Sequence, residues 1–222
     1  MKKYLLSIAV WFAFIIPAYS AGIGVTLTAA TIDTALTDDI DSNGTINTRK
    51  NISNDINFGS LFIENTVDVG ALSMTLGVDY VPFKAEFDSR STSQSSIKES
   101  GSSTTTGTNK GTADVKNHLT FYVQPTAELG DNGVSLFVTA GYVRADVESI
   151  VTSISSTNKT VEDTLDGTKL GIGLKKDFGG MFIKLEYAET DYDPISVTTS
   201  NNTKVTGDID NQTTNLSIGR SF

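Results

Sequence analysis

The sequence predicts an all-β chain, an antiparallel up-and-down barrel of eight transmembrane strands. Three observations predict it: apolar and polar residues alternate with period two in eight segments, the connections alternate between tight and long, and a short apolar leader precedes them all. After the leader no apolar stretch is long enough to span a bilayer as a helix.

The chain of 222 residues fits one domain, and its wealth of Thr, Ser, Asn and Gly with only four prolines and one tryptophan leans away from a helical protein. Hydrophobic residues make up 38%, and the mean hydropathy is near zero. A barrel produces that value because only alternate residues of each strand face lipid. The absence of cysteine removes disulfide frameworks, thiolate nucleophiles, Cys-ligated metals and a lipoprotein anchor. The formal charge of −9 becomes −11 once Lys2 and Lys3 are removed, which argues against nucleic acid as a partner, since phosphate neutralisation needs clustered Lys and Arg.

Residues 1–20 read as a signal peptide. Lys2 and Lys3 supply the basic start, Tyr4 to Ile16 is apolar apart from Ser7, Pro17 breaks any helix, and Ala18-Tyr19-Ser20 offers small residues for cleavage between Ser20 and Ala21. The apolar run of about 13 residues falls short of the roughly 20 that a membrane-spanning helix requires. The remainder, 21–222, is the barrel domain.

The strands follow in order. Ile23 to Ile32 is the first, less regular than most, and Asp55 to Val67 the second, with Leu61 and Ile63 opposite Phe62 and Glu64. Leu72, Met74, Leu76, Val78 and Tyr80 face away from Ser73, Thr75, Gly77 and Asp79 in the third. In the fourth, Leu119, Phe121, Val123 and Ala127 oppose His118, Thr120, Tyr122, Gln124, Thr126 and Glu128, and Pro125 on the outward face predicts a local bend. Val134 to Tyr142 makes the fifth and Lys169 to Lys175 the sixth. The seventh is the most regular: Met181, Ile183, Leu185 and Tyr187 lie opposite Phe182, Lys184, Glu186 and Ala188. Leu216, Ile218 and Phe222 mark the eighth.

Asp68-Val69-Gly70-Ala71, Gly130-Asp131-Asn132-Gly133 and Asp177-Phe178-Gly179-Gly180 are tight, glycine-bearing turns, whereas the connections near 33–53, 86–114, 149–163 and 193–206 are long and polar. Short periplasmic turns and long extracellular loops are the pattern of bacterial outer-membrane barrels, and an even strand count leaves both termini in the periplasm. The stretch from Asp88 to Asp114, nearly all Ser, Thr, Gly, Lys and Gln, predicts a mobile loop without fixed shape. Unpaired backbone groups in hydrocarbon cost several kcal/mol each, so the first strand must pair with the last. Tyr80, Tyr142 and Tyr187 then form one interfacial aromatic belt, with Phe178 and Phe222 at the opposite rim. A soluble sandwich or lipocalin-like barrel is the competing architecture; the tyrosines at corresponding strand ends and the terminal Phe222 favour the membrane.

The final segment Asn215-Leu216-Ser217-Ile218-Gly219-Arg220-Ser221-Phe222 resembles the carboxy-terminal signature of outer-membrane barrels. Phe222 matches the terminal aromatic, and Leu216 and Ile218 match the alternating apolar positions. Arg220 departs from the pattern and is placed to extend its charge to the headgroups. With the leader and the strand count, the mature chain resembles the porin-like outer-membrane β-barrel superfamily and is similar in size to the small OmpA/OmpX-type eight-stranded barrels. The resemblance implies an outer-membrane location, contact with membrane lipid and lipopolysaccharide, recognition of the chain end by the barrel-assembly machinery, and a monomer.

An eight-stranded lumen can be filled by side chains. Its inward charges are Glu64, Asp79, Glu128 and Glu186 against Lys169, Lys175 and Lys184, a nearly balanced set that predicts an ion-paired polar network together with His118. A narrow path for ions or small solutes is the first alternative. The second is a lipid-A-modifying enzyme: His118 is the sole histidine, and Thr120 two residues on stands where a resembling deacylase carries serine. The acidic cluster Asp191, Asp193 reads as solvated, and no motif for a cofactor, metal or nucleotide appears. The sequence thus predicts a non-enzymatic envelope protein whose loops are available for ligand or host contact.

Overall fold

The computed structural model describes residues 20–39, 44–46, 48–98, 104–152, 158–198 and 204–222. Residues 1–19 lie outside them, and Ser20, the last residue of the predicted leader, opens the first strand. Ten strands are present: β1 (Ser20–Asp39), β2 (Thr48–Val69), β3 (Leu72–Val81), β4 (Ala85–Lys98), β5 (Thr104–Glu128), β6 (Val134–Thr152), β7 (Asn158–Phe178), β8 (Met181–Tyr192), β9 (Ile195–Thr198) and β10 (Lys204–Ser221). All pairings are antiparallel; β3 pairs with β5 and β8 with β10, β4 and β9 pair only with β5 and β10, and β1 pairs with β10 to close the ring. Two staves are interrupted, β3 from β4 at Pro82 and β8 from β9 at Pro194. Proline has no amide proton for the ladder, so both breaks fall where the chemistry demands. The barrel therefore has eight staves.

Closure fixes the geometry. From Gly22 the register runs through Glu64, Gly77, Tyr122, Gly141, Lys169, Thr190 and Asn211 and returns to β1 at Ile32, ten residues further along the starting strand. Eight staves with that stagger tilt by roughly 40° from the axis, at about 3.3 Å per residue and 4.8 Å between strands.

The alternation places Ile23, Val25, Leu27, Leu61, Ile63, Leu72, Val138, Leu170, Ile172, Leu185, Leu216 and Ile218 outward and exposed, Leu27 and Leu170 by 66% each. Above them the outward face turns polar on nearly every stave: Asp33, Asp55, Asn117, Arg144, Asp166, Glu189 and Gln212. From Leu72 to Tyr80 the apolar band spans nine residues, roughly 20–25 Å along the axis at the tilt above, which matches the lipid-facing band of a membrane barrel.

The segments beyond the band differ from the sequence expectation. The connections expected at 33–53, 86–114, 149–163 and 193–206 are largely strand, because β1, β2, β4, β5, β6, β7 and β10 continue into them. The stretch expected to lack fixed shape carries the β4–β5 ladder, from Ala85 opposite Val115 to Lys98 opposite Thr104. Above the band the apolar residues change to the inner face, as at Val143, Ala145 and Val147 on β6 and Ile52, Ile56 and Phe58 on β2. The intervening stretches are rich in Thr and Ser, so an alternation with apolar residues outward does not continue, while β-branched threonine still favours the extended backbone. Pro125 leaves the register unbroken. The irregularity in β5 falls instead between Lys116 and Leu119, where Asn117 adopts φ +52°.

Candidate functional site

The lumen is layered. At the level of the tight turns stand four inward aromatics, Phe62, Tyr122, Phe137 and Phe182, each directly opposite a glycine on the neighbouring strand: Gly24, Gly77, Gly173 and Gly219 respectively. A Cβ on any of these glycines would come within 2.4 Å of the facing ring, so the aromatics can lie flat over their neighbours' backbone only because those positions are glycine. Phe62 and Phe182 meet with ring centroids 6.0 Å apart.

These four rings surround one ammonium. Lys184 Nζ lies 5.2 Å from the Phe182 centroid, 5.6 Å from Phe62, 5.8 Å from Phe137 and 5.9 Å from Tyr122. It donates to Glu64 Oε2 at 2.6 Å and to Gln124 Oε1 at 2.9 Å, and the Tyr122 hydroxyl donates to Glu64 at 2.7 Å. Pairing with a carboxylate and quadrupole attraction from the rings offset the cost of burying this charge.

A second knot lies above the first. Glu186 accepts from Lys169 Nζ at 2.8 Å, from Asn215 Nδ2 at 2.8 Å and from the Thr139 hydroxyl, which itself accepts from Gln124 Nε2 at 2.9 Å. Gln124 thereby joins the two. Asp79 accepts from Ser60 Oγ at 2.7 Å, and Lys175 pairs at the rim with Asp177 at 3.0 Å and covers the Phe182 ring. Glu128 stands exposed beside the Leu129–Gly133 turn, outside the network. A cavity of about 70 Å³ remains among Ser60, Asp79, His118, Lys169, Thr190 and Asn211, room for a handful of waters.

His118 Nε2 lies 3.1 Å from the Tyr192 hydroxyl, and its Nδ1 has no hydrogen-bond partner among the described residues. Above it Val143, Ala145, Leu165 and Tyr192 form an apolar cluster with Val115, Val147, Ile195 and Ile209. Packed side chains therefore fill the lumen at both ends of its polar layer.

On the outside, Tyr80 and Tyr187 are exposed at the upper edge of the apolar band and Tyr142 is half-buried at the same level, while Phe178 is exposed at the opposite rim. Leu216 and Ile218 face outward, the Phe222 amide donates to Ala21 O at 2.8 Å, and the Arg220 guanidinium lies 5.5 Å over the Phe222 ring. Sequence reasoning did not single out Phe83, 67% exposed just past Pro82 at the band's upper edge, because it falls in a break rather than a strand. It also passed over the cage around Lys184: inward aromatics and glycines are visible in the alternation, but which glycine faces which ring depends on register.

No protein-family model matches the chain, and no curated protein matches it in sequence. Among solved structures the chain is similar to the outer membrane protease OmpT from Escherichia coli, at 10% identity and a TM-score of 0.50 over 95% of this chain and all of that one. The attachment invasion locus protein Ail of Yersinia pestis aligns at 12% identity and a TM-score of 0.42, over 91% of this chain and 99% of that one. The Neisserial surface protein A aligns at 8% identity and a TM-score of 0.33, over 89% and 97%. At 10% identity the likeness to the OmpT structure is one of fold, and it agrees with the closed ring and its outward apolar band: the chain has the fold of an outer-membrane β-barrel.

Proposed function

We propose that this chain is an integral outer-membrane barrel of the cell envelope that serves as a structural, surface-exposed component, with the tall polar end available for ligand or host contact. The leader directs export and is cleaved between Ser20 and Ala21, the tight turns face the periplasm, and the barrel stands as a monomer among lipopolysaccharide and phospholipid after the assembly machinery has read Leu216, Ile218 and Phe222. The observation that carries this reading is the band of exposed Leu, Ile and Val around a ring with no open edge at that level. Such a surface is unfavourable in water and suited to hydrocarbon.

The filled lumen favours an anchor over a channel, since the Phe62, Phe137 and Phe182 rings lie below the polar layer and the Val143–Leu165–Tyr192 cluster above it. The geometry also favours a non-enzymatic role. A histidine whose Nδ1 lacks an orienting partner, with a tyrosine hydroxyl rather than a nucleophile on Nε2, is not arranged as a general base.

The test is accessibility in intact cells, which the cysteine-free sequence makes clean. A membrane-impermeant maleimide should label Ile46→Cys without lysis and Asp131→Cys only after the outer membrane is permeabilised, and the unboiled protein should migrate differently from the boiled one in gels. Recovery of the chain in the soluble periplasmic fraction would overturn the reading.

A further inference from the structure

The polar layer of the lumen carries one more carboxylate than it has cations to match. From the aromatic cage up to the Val143–Leu165–Tyr192 cluster, the inward charged side chains are Glu64, Asp79 and Glu186 against Lys169 and Lys184. Both ammoniums are taken, since Lys184 pairs with Glu64 at 2.6 Å and Lys169 with Glu186 at 2.8 Å. Lys175 is committed to Asp177 at the rim. Asp79 is left, among the described residues, with no ion pair and one hydrogen-bond partner, the Ser60 hydroxyl at 2.7 Å. A neutral donor removes no charge, and a carboxylate inside a protein is tolerated where a paired or bound cation balances it.

The cavity of about 70 Å³ that Asp79 lines is lined also by His118 and Asn211. Each brings a buried atom with no hydrogen-bond partner among the described residues, Nδ1 of the one and Oδ1 of the other. Asn211 is only 7% exposed, so its amide oxygen has lost bulk water without gaining a protein donor, a state that calls for an ordered water or an ion. Ser60 and Thr190 add hydroxyl oxygens to the same wall. Oxygens of a carboxylate, an amide and two hydroxyls are the donor set of a hard cation. Water alone can satisfy Asn211 Oδ1, but it brings no charge. Among the described residues no three His, Asp or Glu side chains are grouped to hold a divalent metal, and the charge to be balanced is a single one.

We propose that the lumen holds one monovalent metal cation, Na+ or K+, between Asp79 and Asn211 Oδ1, with the Ser60 and Thr190 hydroxyls and waters completing its shell. The cavity admits a small ion with a few waters. The ion is a structural part of the barrel: Phe62, Phe137 and Phe182 close the layer below it and the Val143–Leu165–Tyr192 cluster closes it above. It makes the layer neutral and covers the amide oxygen that the protein leaves bare. None of this depends on what the extracellular end contacts.

The experiment is urea unfolding of the full mature chain refolded into lipid vesicles, at a constant ionic strength of about 0.15 M. The salt is NaCl, KCl or N-methylglucamine chloride, whose cation is too large for the cavity. Replacing N-methylglucamine by the preferred of the two metal ions should raise the folded-to-unfolded ratio of the wild type by roughly threefold or more. Asp79→Asn keeps the shape and removes the charge. It should abolish that rise, and in N-methylglucamine it should be at least as stable as the wild type. Asn211→Leu keeps the charge and deletes the oxygen, and should cut the rise to less than about half. A wild type equally stable in all three salts would overturn the proposal, by assigning the neutralisation to a proton and the cavity to water alone. A salt preference that survives Asp79→Asn would overturn it too, by placing the ion on the exposed aspartates outside the lumen.

Discussion

Lys184 and Glu64 meet at 2.6 Å across the lumen although two staves, β10 and β1, stand between their own strands β8 and β2. The contact is possible because the barrel is narrow enough for a lysine to cross its interior, and it ties distant parts of the ring together. Removing one partner leaves the other charge buried and unpaired. Lys184→Ala should therefore destabilise the barrel by about 3 kcal/mol or more. The double variant Glu64→Gln/Lys184→Met should recover much of that loss. Urea unfolding in lipid vesicles reads both.

Gly219 and Phe182 test the packing rule of the aromatic cage. A Cβ at Gly219 would lie 2.3 Å from the Phe182 ring, so Gly219→Ala should cost about 1–3 kcal/mol by overpacking. Phe182→Leu shortens the facing side chain and should suppress part of the Gly219→Ala defect when the two are combined. Simple additivity of the two losses would contradict the steric account.

The outward band predicts a depth profile. Leu185→Arg, at mid-band on β8, should reduce folding stability by about 2–4 kcal/mol, whereas Glu189→Arg, four residues further up the same face, should cost at most about 1 kcal/mol. Equal effects at the two positions would mean that Leu185 does not face lipid.

The row of opposed aspartates predicts a gain. Asp210 faces Asp33 on one side and Asp191 on the other, so Asp210→Asn should stabilise the barrel by a few tenths to about 1 kcal/mol at low salt. The gain should shrink as ionic strength rises, because exposed charges are screened. Stability that is unchanged at low salt would show that the repulsion is already relieved.

Conductance is the remaining discriminator. Refolded protein in a planar bilayer should give no stable single-channel steps, since the rings of Phe62, Phe137 and Phe182 fill the lumen. Reproducible steps would restore the channel reading.

The alternation of single strands by itself determined the inward or outward direction of nearly every residue in the apolar band, because side-chain direction in a strand has a period of two and one face must meet lipid. Leu185 and Glu186 could be assigned to opposite faces from their neighbours alone. The tight turns were equally legible, since Gly70, Gly130, Gly133, Gly179 and Gly180 all adopt positive φ, where glycine is favoured. Register was not legible. Only closure with its ten-residue stagger decided that Gly24 faces Phe62, that Gly219 faces Phe182, and that Lys184 reaches Glu64. The strands above the band were hidden for a related reason: their outward face is polar and their apolar residues, such as Val143, Ala145 and Val147, change to the inner face, so their extension depends on neighbouring strands rather than on a continued lipid-facing pattern. Where the ring opens above the band, between β2 and β4 and between β7 and β9, was likewise a tertiary outcome, although Pro82 and Pro194 mark the spots, because a missing pairing is a relation between two strands and belongs to neither sequence.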